Sequence, residues 1–424
     1  MLAIYFGKPP SGRFPEHRKT MSQAALPPRN PWIVLVCAAM MVTIAMGIRQ
    51  SLGLFLSPIE LEIGVGREAF GLAIAVQNLI FGLAQPFVGT LADRHGAGRV
   101  AAAGAALYAL GLGLAAGVSG ALGLNLTLGF LVGFSMTGVT FVVAIGAAIR
   151  AVPPEKRGLA AGIVTAGGSV GQFLLVPVAQ WLIGGFGWRE AFLIYAALAA
   201  TMVLFAVGVS GRSTQSEAAG IPSQSIQEAL REAAGHTGFW LLNAGFFVYG
   251  FHVAFVSTHL PAFIEDKGLD PAIGARALAL VGLFNILGSY VFGMSADRWR
   301  KKHVLAGIYF ARAAVMAVFL AFPVSPMSAT LFACALGFLW LGTVPLTSAL
   351  VGQIFGVRYV STLFGIVFMS HQVGAFFGAW GAGYAYRVSG SYDLAWQISI
   401  GIALLAVLLH WPIKDAPLAR AASS

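Results

Sequence analysis

The sequence predicts an all-α membrane protein with twelve transmembrane helices arranged in two related halves. Of its 424 residues, 58% are hydrophobic and only 10% are charged, whereas roughly 25% of a soluble domain is charged. Apolar stretches of about 20 residues recur along the whole chain, and this is the length that an α-helix needs to cross a bilayer. A helical bundle is therefore expected, because a membrane β-barrel would show short alternating strands.

The twelve apolar stretches divide the chain into five parts. Their predicted bounds are 32–58, 69–91, 99–119, 122–149, 158–184, 188–209, 239–264, 272–296, 303–323, 327–352, 360–386 and 392–411. The expected parts are an N-terminal tail at 1–31, a six-helix bundle at 32–209, a polar linker at 210–237, a second bundle at 238–411 and a C-terminal tail at 412–424. Within the linker, Ser225 and Glu228 have the spacing of a capping box, which predicts a short surface helix.

Charge indicates the orientation of these helices. The net charge is +10, and most of the 26 Lys and Arg fall on segments that share one side with both termini. The positive-inside rule therefore places both termini in the cytoplasm. The expected location is the inner membrane of a bacterium. The basic residues do not cluster with aromatics on one face, so no nucleic-acid partner is expected. Whether the chain starts at Met1 or Met21 stays open.

Arg49 is the central feature of the first span. An arginine this deep in a helix costs roughly 2.5–3.5 kcal/mol on insertion scales, so a functional reason is expected. The surrounding residues recur 203 positions later in the seventh span: Gly47, Arg49, Pro58 and Glu62 match Gly250, His252, Pro261 and Glu265. Further matches at the same spacing pair Gly162 with Gly365 and Gly171 with Gly374. This repeat indicates duplicated halves with Arg49 and His252 at equal depth.

The loop after the second span carries a recognisable motif. It reads Gly-Thr-Leu-Ala-Asp-Arg-His-Gly-Ala-Gly-Arg over residues 89–99, and a degenerate copy follows the eighth span. This motif resembles the loop signature of the major facilitator superfamily, although Gly98 stands where the family often has a basic residue. The resemblance implies the major facilitator fold, with two bundles around a cavity that opens alternately to each side. The residues expected to control gating are Gly89, Asp93, Arg94, Gly96, Arg99, Asp297 and Arg298, with Asp93 latching the cytoplasmic side at a helix N-terminus.

Three stretches resemble one branch of that family, the monocarboxylate and oxalate–formate carriers. They are Arg157–Gly171, Gly250–Pro261 and Ser370–Gly378. The sequence departs from the branch in three respects. The acidic Gly-Trp signature of animal monocarboxylate carriers is absent, the eighth span has Asn285 but no mid-span Arg or Asp, and His371 stands where an oxalate carrier would use lysine. Some relatives carry neutral or ring-containing compounds, including riboflavin. The Gly-Pro pair of drug/proton antiporters is absent from the fifth span, which disfavours a multidrug exporter.

The charged residues within the spans favour an anionic solute. No Asp or Glu lies in mid-span, and the charged or titratable residues there are Arg49, Arg312, His252, His259 and His371. A cavity with this lining attracts an acid and repels a cationic drug. The residues predicted to bind substrate are Arg49, His252, His371, Gln372, Asn285 and Tyr249. The secondary candidates are Arg312, His259, Gln77, Asn78 and Trp340.

The predicted function is secondary transport of a monocarboxylate-type organic anion, with a proton as the co-transported ion. His252, His371 or the acid group of the solute would carry that proton. The alternatives are a carrier of a neutral or ring-containing nutrient such as a flavin, an anion exchanger, a facilitator and a nutrient sensor. The solute and the direction of transport stay open. An enzyme is disfavoured because the in-span histidines lack a paired carboxylate, and neither a metal nor a cofactor is expected. A monomer in the lipid bilayer is expected.

Overall fold

The computed structural model describes residues 30–153, 156–210, 225–356 and 360–418, and within them all regular elements are helical. The expected start sites, nearly all of the N-terminal tail, half of the linker and the last six residues lie outside these ranges. Twelve helical stretches of the described chain are long and apolar enough to cross a membrane. They run over Pro31–Ile63, Arg67–Ala92, Ala97–Ala115, Ala121–Ala151, Leu159–Phe186, Trp188–Gly208, Thr237–Asp266, Pro271–Ser295, Lys301–Ala321, Pro326–Phe355, Thr362–Ser389 and Asp393–His410. We refer to these stretches as spans 1 to 12, and the prediction of twelve transmembrane helices is confirmed.

The helices end at residues whose chemistry predicts a boundary. The side chain of Asn30 accepts a hydrogen bond of 3.0 Å from the Trp32 amide, and Pro31 follows at the first helical position. Asp270 caps span 8 in the same way, ahead of Pro271. The helix Ile226–Gly235 starts with a capping box between Ser225 and Glu228, as the spacing of these two residues predicts.

Three spans are interrupted near the middle of the bundle. A 3₁₀ turn at Leu52–Phe55 separates the helices Pro31–Ser51 and Leu56–Ile63 of span 1. Span 4 consists of Ala121–Leu124, a π-helical segment at Asn125–Leu131, and the helices Val132–Val139 and Phe141–Ala151. Span 10 is broken between Pro326–Phe338 and Thr343–Phe355. Breaks of this kind expose backbone polar groups, so they are expected where the chain lines a cavity or is held by a side chain.

The remaining helices are continuous or nearly so. Their bounds are Arg67–His95, Ala97–Ala115, Arg157–Phe186, Trp188–Ala200, Met202–Gly208, Thr237–Asp266, Pro271–Arg298, Lys301–Ala321, Val360–Ser389 and Asp393–His410.

The two halves use the same packing pattern. Span 1 packs on span 5 through Gly47 and Gly171, and span 7 packs on span 11 through Gly250 and Gly374. A side chain on Gly171 would overlap the carbonyl oxygen of Thr43, and one on Gly374 would overlap that of Phe247. Small residues at these positions let the helix backbones touch. Because the same glycines occupy the same places in both halves, the structure agrees with the duplication predicted from the repeat.

The halves meet mainly along spans 2 and 11 and along spans 5 and 8. We call the end of the molecule where residues 30 and 418 lie the terminal face, and the other end the distal face. At the distal face Arg67 of span 2 pairs with Asp266 at the end of span 7, and Arg387 of span 11 pairs with Glu68 of span 2. Among the described ion pairs, those that join the two halves all lie at the distal face.

The last described segment packs back onto the second half. Arg300 donates to Asp415 at 2.6 Å, and Lys302 donates to the carbonyl oxygen of Ile413 at 2.8 Å. The hydrogen bond from Arg300 lowers the pKa of the Asp415 carboxyl. This segment therefore packs against the terminal face of the second half.

Candidate functional site

Arg49 lies where span 1 leaves its α-helix, two residues before Ser51, the last residue of that helix. Its Nη2 donates a hydrogen bond to the Oδ1 of Asn78 on span 2, and its guanidinium stands 6.0 Å from the centre of the Phe81 ring. The amide nitrogen of Asn78 is bound to the carbonyl oxygen of Ile74 at 2.8 Å, which turns its Oδ1 toward Arg49. No acidic side chain of the described residues pairs with this arginine.

Arg49 forms part of the wall of a small cavity at the junction of the two halves. Spans 1 and 2 contribute one side and span 7 contributes the other. The lining residues are Arg49, Gln50, Leu52, Gly53, Ile74, Gln77, Asn78, Ser257 and Thr258. Arg49 is partly buried as a residue, and its Nε and Nη1 have no hydrogen-bond partner in the described structure. The cavity therefore offers free cationic donors surrounded by neutral polar groups.

His371 of span 11 belongs to the second half, whereas Arg49 belongs to the first. Its ring stacks on Phe368 at an interplanar angle of 4° and lies 4.8 Å from the ring of Tyr249 on span 7. Its Nδ1 is 3.0 Å from the Oε1 of Gln372, and Arg49 is within electrostatic reach. The structure thus makes Tyr249, His371 and Gln372 neighbours in the second half, and Arg49 of the first half interacts electrostatically with Tyr249 and His371.

His252 points elsewhere, although it is the repeat partner of Arg49. Its Nε2 is 2.9 Å from the carbonyl oxygen of Ser399 on span 12, and the side chain is completely buried. Arg49 is bound to span 2 of its own half, whereas His252 is bound to span 12 of its own half. The repeat matches the two residues in sequence, but their side chains have different partners.

Arg312 is buried inside the second half. Its Nη2 donates to the carbonyl oxygens of Leu339 and Trp340, each at 2.6 Å, where span 10 is broken. The guanidinium also lies 5.0 Å from the Tyr249 ring, while its Nε and Nη1 have no partner in the described structure. Arg312 thus caps the carbonyls that the break in span 10 leaves without helical partners.

The other predicted polar residues mostly join helices to one another. The amide nitrogen of Asn285 on span 8 donates to the Oγ of Ser169 on span 5 at 2.7 Å, across the interface of the halves. His259 is held between the hydroxyl of Tyr392 at 2.9 Å and the carbonyl oxygen of Ala379 at 2.7 Å. Gln77 donates to the carbonyl oxygen of Leu128 at 2.9 Å. Asn285 and His259 are thus placed to hold helices together, whereas Gln77 also lines the cavity.

Comparison with known proteins identifies the family to which this twelve-span chain belongs. The sequence profile of the Major Facilitator Superfamily matches residues 32–379, which cover most of the chain. The chain belongs to the major facilitator superfamily. Its fold is that of this superfamily, and a solved structure shows the likeness directly. A bacterial homologue of the human lysosomal transporter Spinster, in an inward-facing and occupied conformation, superposes with a TM-score of 0.73 at 15% identity, over 90% of this chain and 97% of that one.

Two curated transporters of this superfamily are similar in sequence over most of their length. Monocarboxylate transporter 13 of Rattus norvegicus is 28% identical over 388 residues, which cover 88% of this chain and 86% of that protein. The oxalate:formate antiporter of Oxalobacter formigenes is 22% identical over 389 residues, which cover 90% of each. The predicted resemblance to the monocarboxylate and oxalate–formate branch of the major facilitator superfamily is confirmed.

The superfamily's loop motif lies at the terminal face. Gly96 ends the helix of span 2 with a φ of 93°, and Gly89 packs against Val142 of span 4. Arg94, Arg99 and Arg298 are exposed there, while the side chains of Asp93 and Asp297 lie outside the described structure. Gly98 departs from the motif for a visible reason, because a side chain at this position would overlap the Oγ of Ser210 at the end of span 6.

Sequence analysis missed two polar features of this transporter fold. Gln50 donates to Gln172 of span 5 at 3.2 Å, and Gln172 donates to the carbonyl oxygen of Leu278 of span 8 at 2.9 Å, which links the halves beside the cavity. Arg67, at the distal face, pairs with Glu60 and with Asp266. Gln50 follows Arg49 directly, and this position next to an intramembrane charge is a signal that could have marked it.

Proposed function

We propose that the chain is a secondary transporter that moves a small monocarboxylate-type organic anion across the bacterial cytoplasmic membrane. One observation carries the proposal: Arg49 presents free guanidinium donors to the cavity between the halves, and its hydrogen-bond partner Asn78 is neutral. An intramembrane cation without a counter-ion is costly, and a bound carboxylate would supply the missing charge. A guanidinium also matches the two oxygens of a carboxylate in geometry.

The relatives support an anionic solute. One is named a monocarboxylate transporter and another an oxalate:formate antiporter, and both align over most of this chain. Within the described spans, Arg312 is a further buried cation, and no acidic side chain lies beside Arg49. A cationic or zwitterionic solute would find no carboxylate there to receive its positive group.

The distribution of contacts between the halves supports alternating access. Arg67 and Asp266, together with Glu68 and Arg387, tie the halves at the distal face. With the termini in the cytoplasm, the distal face is extracellular, so this conformation is closed to the outside. Transport then requires that these ion pairs separate while the opposite ends of spans 2, 5, 8 and 11 close.

His371 is the best placed carrier of a co-transported proton. It lies within electrostatic reach of Arg49 and contacts Tyr249 and Phe368. An anion bound at Arg49 would offset the positive charge near this ring and favour its protonation, so anion and proton binding would promote one another. His252 is a weaker candidate because its ring is bound to span 12.

Uptake by purified protein in proteoliposomes tests the proposal. L-lactate and its amide, lactamide, have nearly the same shape, and only lactate carries the charge. We expect saturable uptake of lactate or another short carboxylate that carboxylates inhibit and the matching amides do not. Equal inhibition by amide and acid would indicate a neutral solute and overturn the proposal. Uptake that depends on an anion preloaded inside the vesicles, and that persists without a pH gradient, would identify an exchanger. This result would overturn proton symport.

A further inference from the structure

We propose that an anionic phospholipid binds to a basic patch at the terminal face of the second half, where spans 8 and 9 meet the end of span 12. The phosphate of the lipid binds the cations of the patch, and its acyl chains lie along the exposed faces of spans 9 and 12. Binding of this lipid does not depend on the identity of the solute. The basic patch consists of Arg298, Trp299, Arg300, Lys301, Lys302, His303, Trp411 and Lys414.

The basic patch contains the degenerate copy of the loop motif. Residues 96–98 of the first copy read Gly-Ala-Gly, and the matching residues 300–302 of the second copy read Arg-Lys-Lys. In the first half there is no room for a side chain at Gly98, because its Cβ would overlap the Oγ of Ser210. The first copy forms its loop without these three cations, so the fold does not require them in the second copy either.

The structure gathers the cations of the patch around the end of span 12. The ammonium of Lys302 donates to the carbonyl oxygens of Trp411 and Ile413 at 3.1 and 2.8 Å, which uses two of its three donors. Arg300 pairs with Asp415 at 2.6 Å, and this is the acid that pairs with the patch among the described ion pairs. Most of the positive charge of the patch therefore has no acidic partner in the described structure.

The two tryptophans place the patch at the membrane interface. Trp299 directly follows the helix of span 8, and Trp411 directly follows that of span 12. Their side chains are 67% and 64% exposed, and the Trp411 ring lies 5.1 Å from the ring of His303. Tryptophan is enriched at this level of a membrane protein, because its ring is apolar and its N–H is polar. The cations between the two rings are therefore at the level of the lipid headgroups.

Exposed apolar side chains continue from the patch into the membrane. On span 9, Phe310 follows His303 by seven residues and so lies on the same face of the helix. On span 12, Leu408 and Leu404 precede Trp411 by three and seven residues and share its face. Acyl chains would contact these faces while the phosphate is bound by the cations. A soluble phosphate would gain only the second contact.

Thermal unfolding of the detergent-purified protein with added lipid tests this binding. Dioleoylphosphatidylglycerol and dioleoylphosphatidylcholine are the probes, because they have the same acyl chains and only the first has a net negative charge. We expect a saturable rise in melting temperature with phosphatidylglycerol alone, and a smaller rise in about 1 M salt. The double variant Lys302→Gln/Lys414→Gln should weaken the apparent affinity for phosphatidylglycerol roughly tenfold or more, since each cation near an anionic lipid adds to binding.

The matched control is Arg94→Gln/Arg99→Gln, which removes two exposed cations from the terminal face of the first half. It should leave the affinity for phosphatidylglycerol unchanged, and an equal loss in both double variants would overturn a specific site. Trp411→Leu keeps every cation and changes an exposed side chain, so it is a second variant that should fold and bind more weakly. Unchanged binding in either patch variant would overturn the proposal. Equal stabilisation by both lipids, or by glycerol 3-phosphate without acyl chains, would also overturn it.

Discussion

Arg67 and Asp266 join the two halves of the transporter through a bidentate ion pair with hydrogen bonds of 2.5 and 2.7 Å. Arg67 begins span 2 and Asp266 ends span 7, so the pair connects the first half to the second at the distal face. The guanidinium also pairs with Glu60 at 2.9 Å and lies 4.0 Å from the centre of the Tyr386 ring. The Arg67 side chain is 10% exposed and the Asp266 side chain is 28% exposed, so solvent screens this pair in part.

Removing Arg67 should shift the transporter toward the state that is open at the distal face. Hydrogen bonds to a charged group contribute about 1.5–3 kcal/mol, so Arg67→Ala should change the ratio of the two states roughly tenfold or more. The distance between spin labels at Leu61→Cys and Lys267→Cys, in a protein without Cys37 and Cys334, reports on this opening. We expect a longer distance to become populated in Arg67→Ala.

The control for this experiment is Arg189→Ala. Arg189 pairs with Glu62 at 2.8 Å, but both residues belong to the first half. Arg189→Ala removes an ion pair at the distal face but leaves the ion pairs between the two halves intact. A similar shift in both variants would show that the Arg67 pair is not a link specific to the closed state.

A carboxylate placed beside Arg49 should block anion binding. Asn78 already contacts the guanidinium, so Asn78→Asp supplies an internal counter-ion of nearly the same size. We expect saturable carboxylate uptake to fall at least about tenfold, because the solute must now compete with a tethered carboxylate. Asn125→Asp adds the same charge at the beginning of span 4 and should leave uptake near the wild-type rate. Unchanged uptake in Asn78→Asp would contradict the role of Arg49.

Proton coupling should depend on His371 and not on His252. Wild-type uptake is expected to rise as the external pH falls from about 8 to 6, since protonation accompanies anion binding. His371→Gln should make uptake insensitive to pH, whereas His252→Gln should retain the pH response, because His252 is bound to Ser399 away from the cleft. Uptake with and without a collapsed pH gradient measures the coupling. A pH-insensitive His252→Gln protein would reverse the assignment.

Gly250 should tolerate no larger residue. A Cβ at this position would overlap the backbone of His371, and a backbone carbonyl cannot move aside as the end of a flexible side chain can. Overpacking of this kind typically costs about 1–3 kcal/mol, so Gly250→Ala should lower the melting temperature in detergent. Gly293→Ala, at a position with no atoms within 4 Å of the added carbon, is the control and should melt as the wild type does.

The twelve spans were predictable from sequence because each needs a long apolar stretch and the bilayer fixes its length. The breaks in spans 1, 4 and 10 were not, because they depend on what other helices offer. In span 10 the freed carbonyls of Leu339 and Trp340 are held by Arg312, which comes from a different helix. Apolar periodicity carries no information about such a partner.

The sequence indicated which intramembrane residues are candidates for the site, but it did not indicate where their side chains point. An intramembrane arginine implies a function wherever it points, and this placed Arg49 among the candidates. The repeat paired it with His252, but the rotation of each side chain depends on its neighbours: Asn78 attracts Arg49 and the Ser399 carbonyl attracts His252. Arg67 and Asp266 are 199 residues apart in sequence, and charges at the ends of two separate helices do not by themselves indicate that they meet.

The affinity of Arg49 variants for a carboxylate is the most direct test of the anion site. Thermal stabilisation of purified protein by a titrated carboxylate gives this affinity without relying on transport. We predict that the wild type is stabilised in a saturable way, that Arg49→Lys binds more weakly because a single ammonium replaces the guanidinium fork, and that Arg49→Gln loses roughly 10- to 100-fold in affinity. An Arg49→Gln protein that is folded and binds the carboxylate as tightly as the wild type would contradict the account.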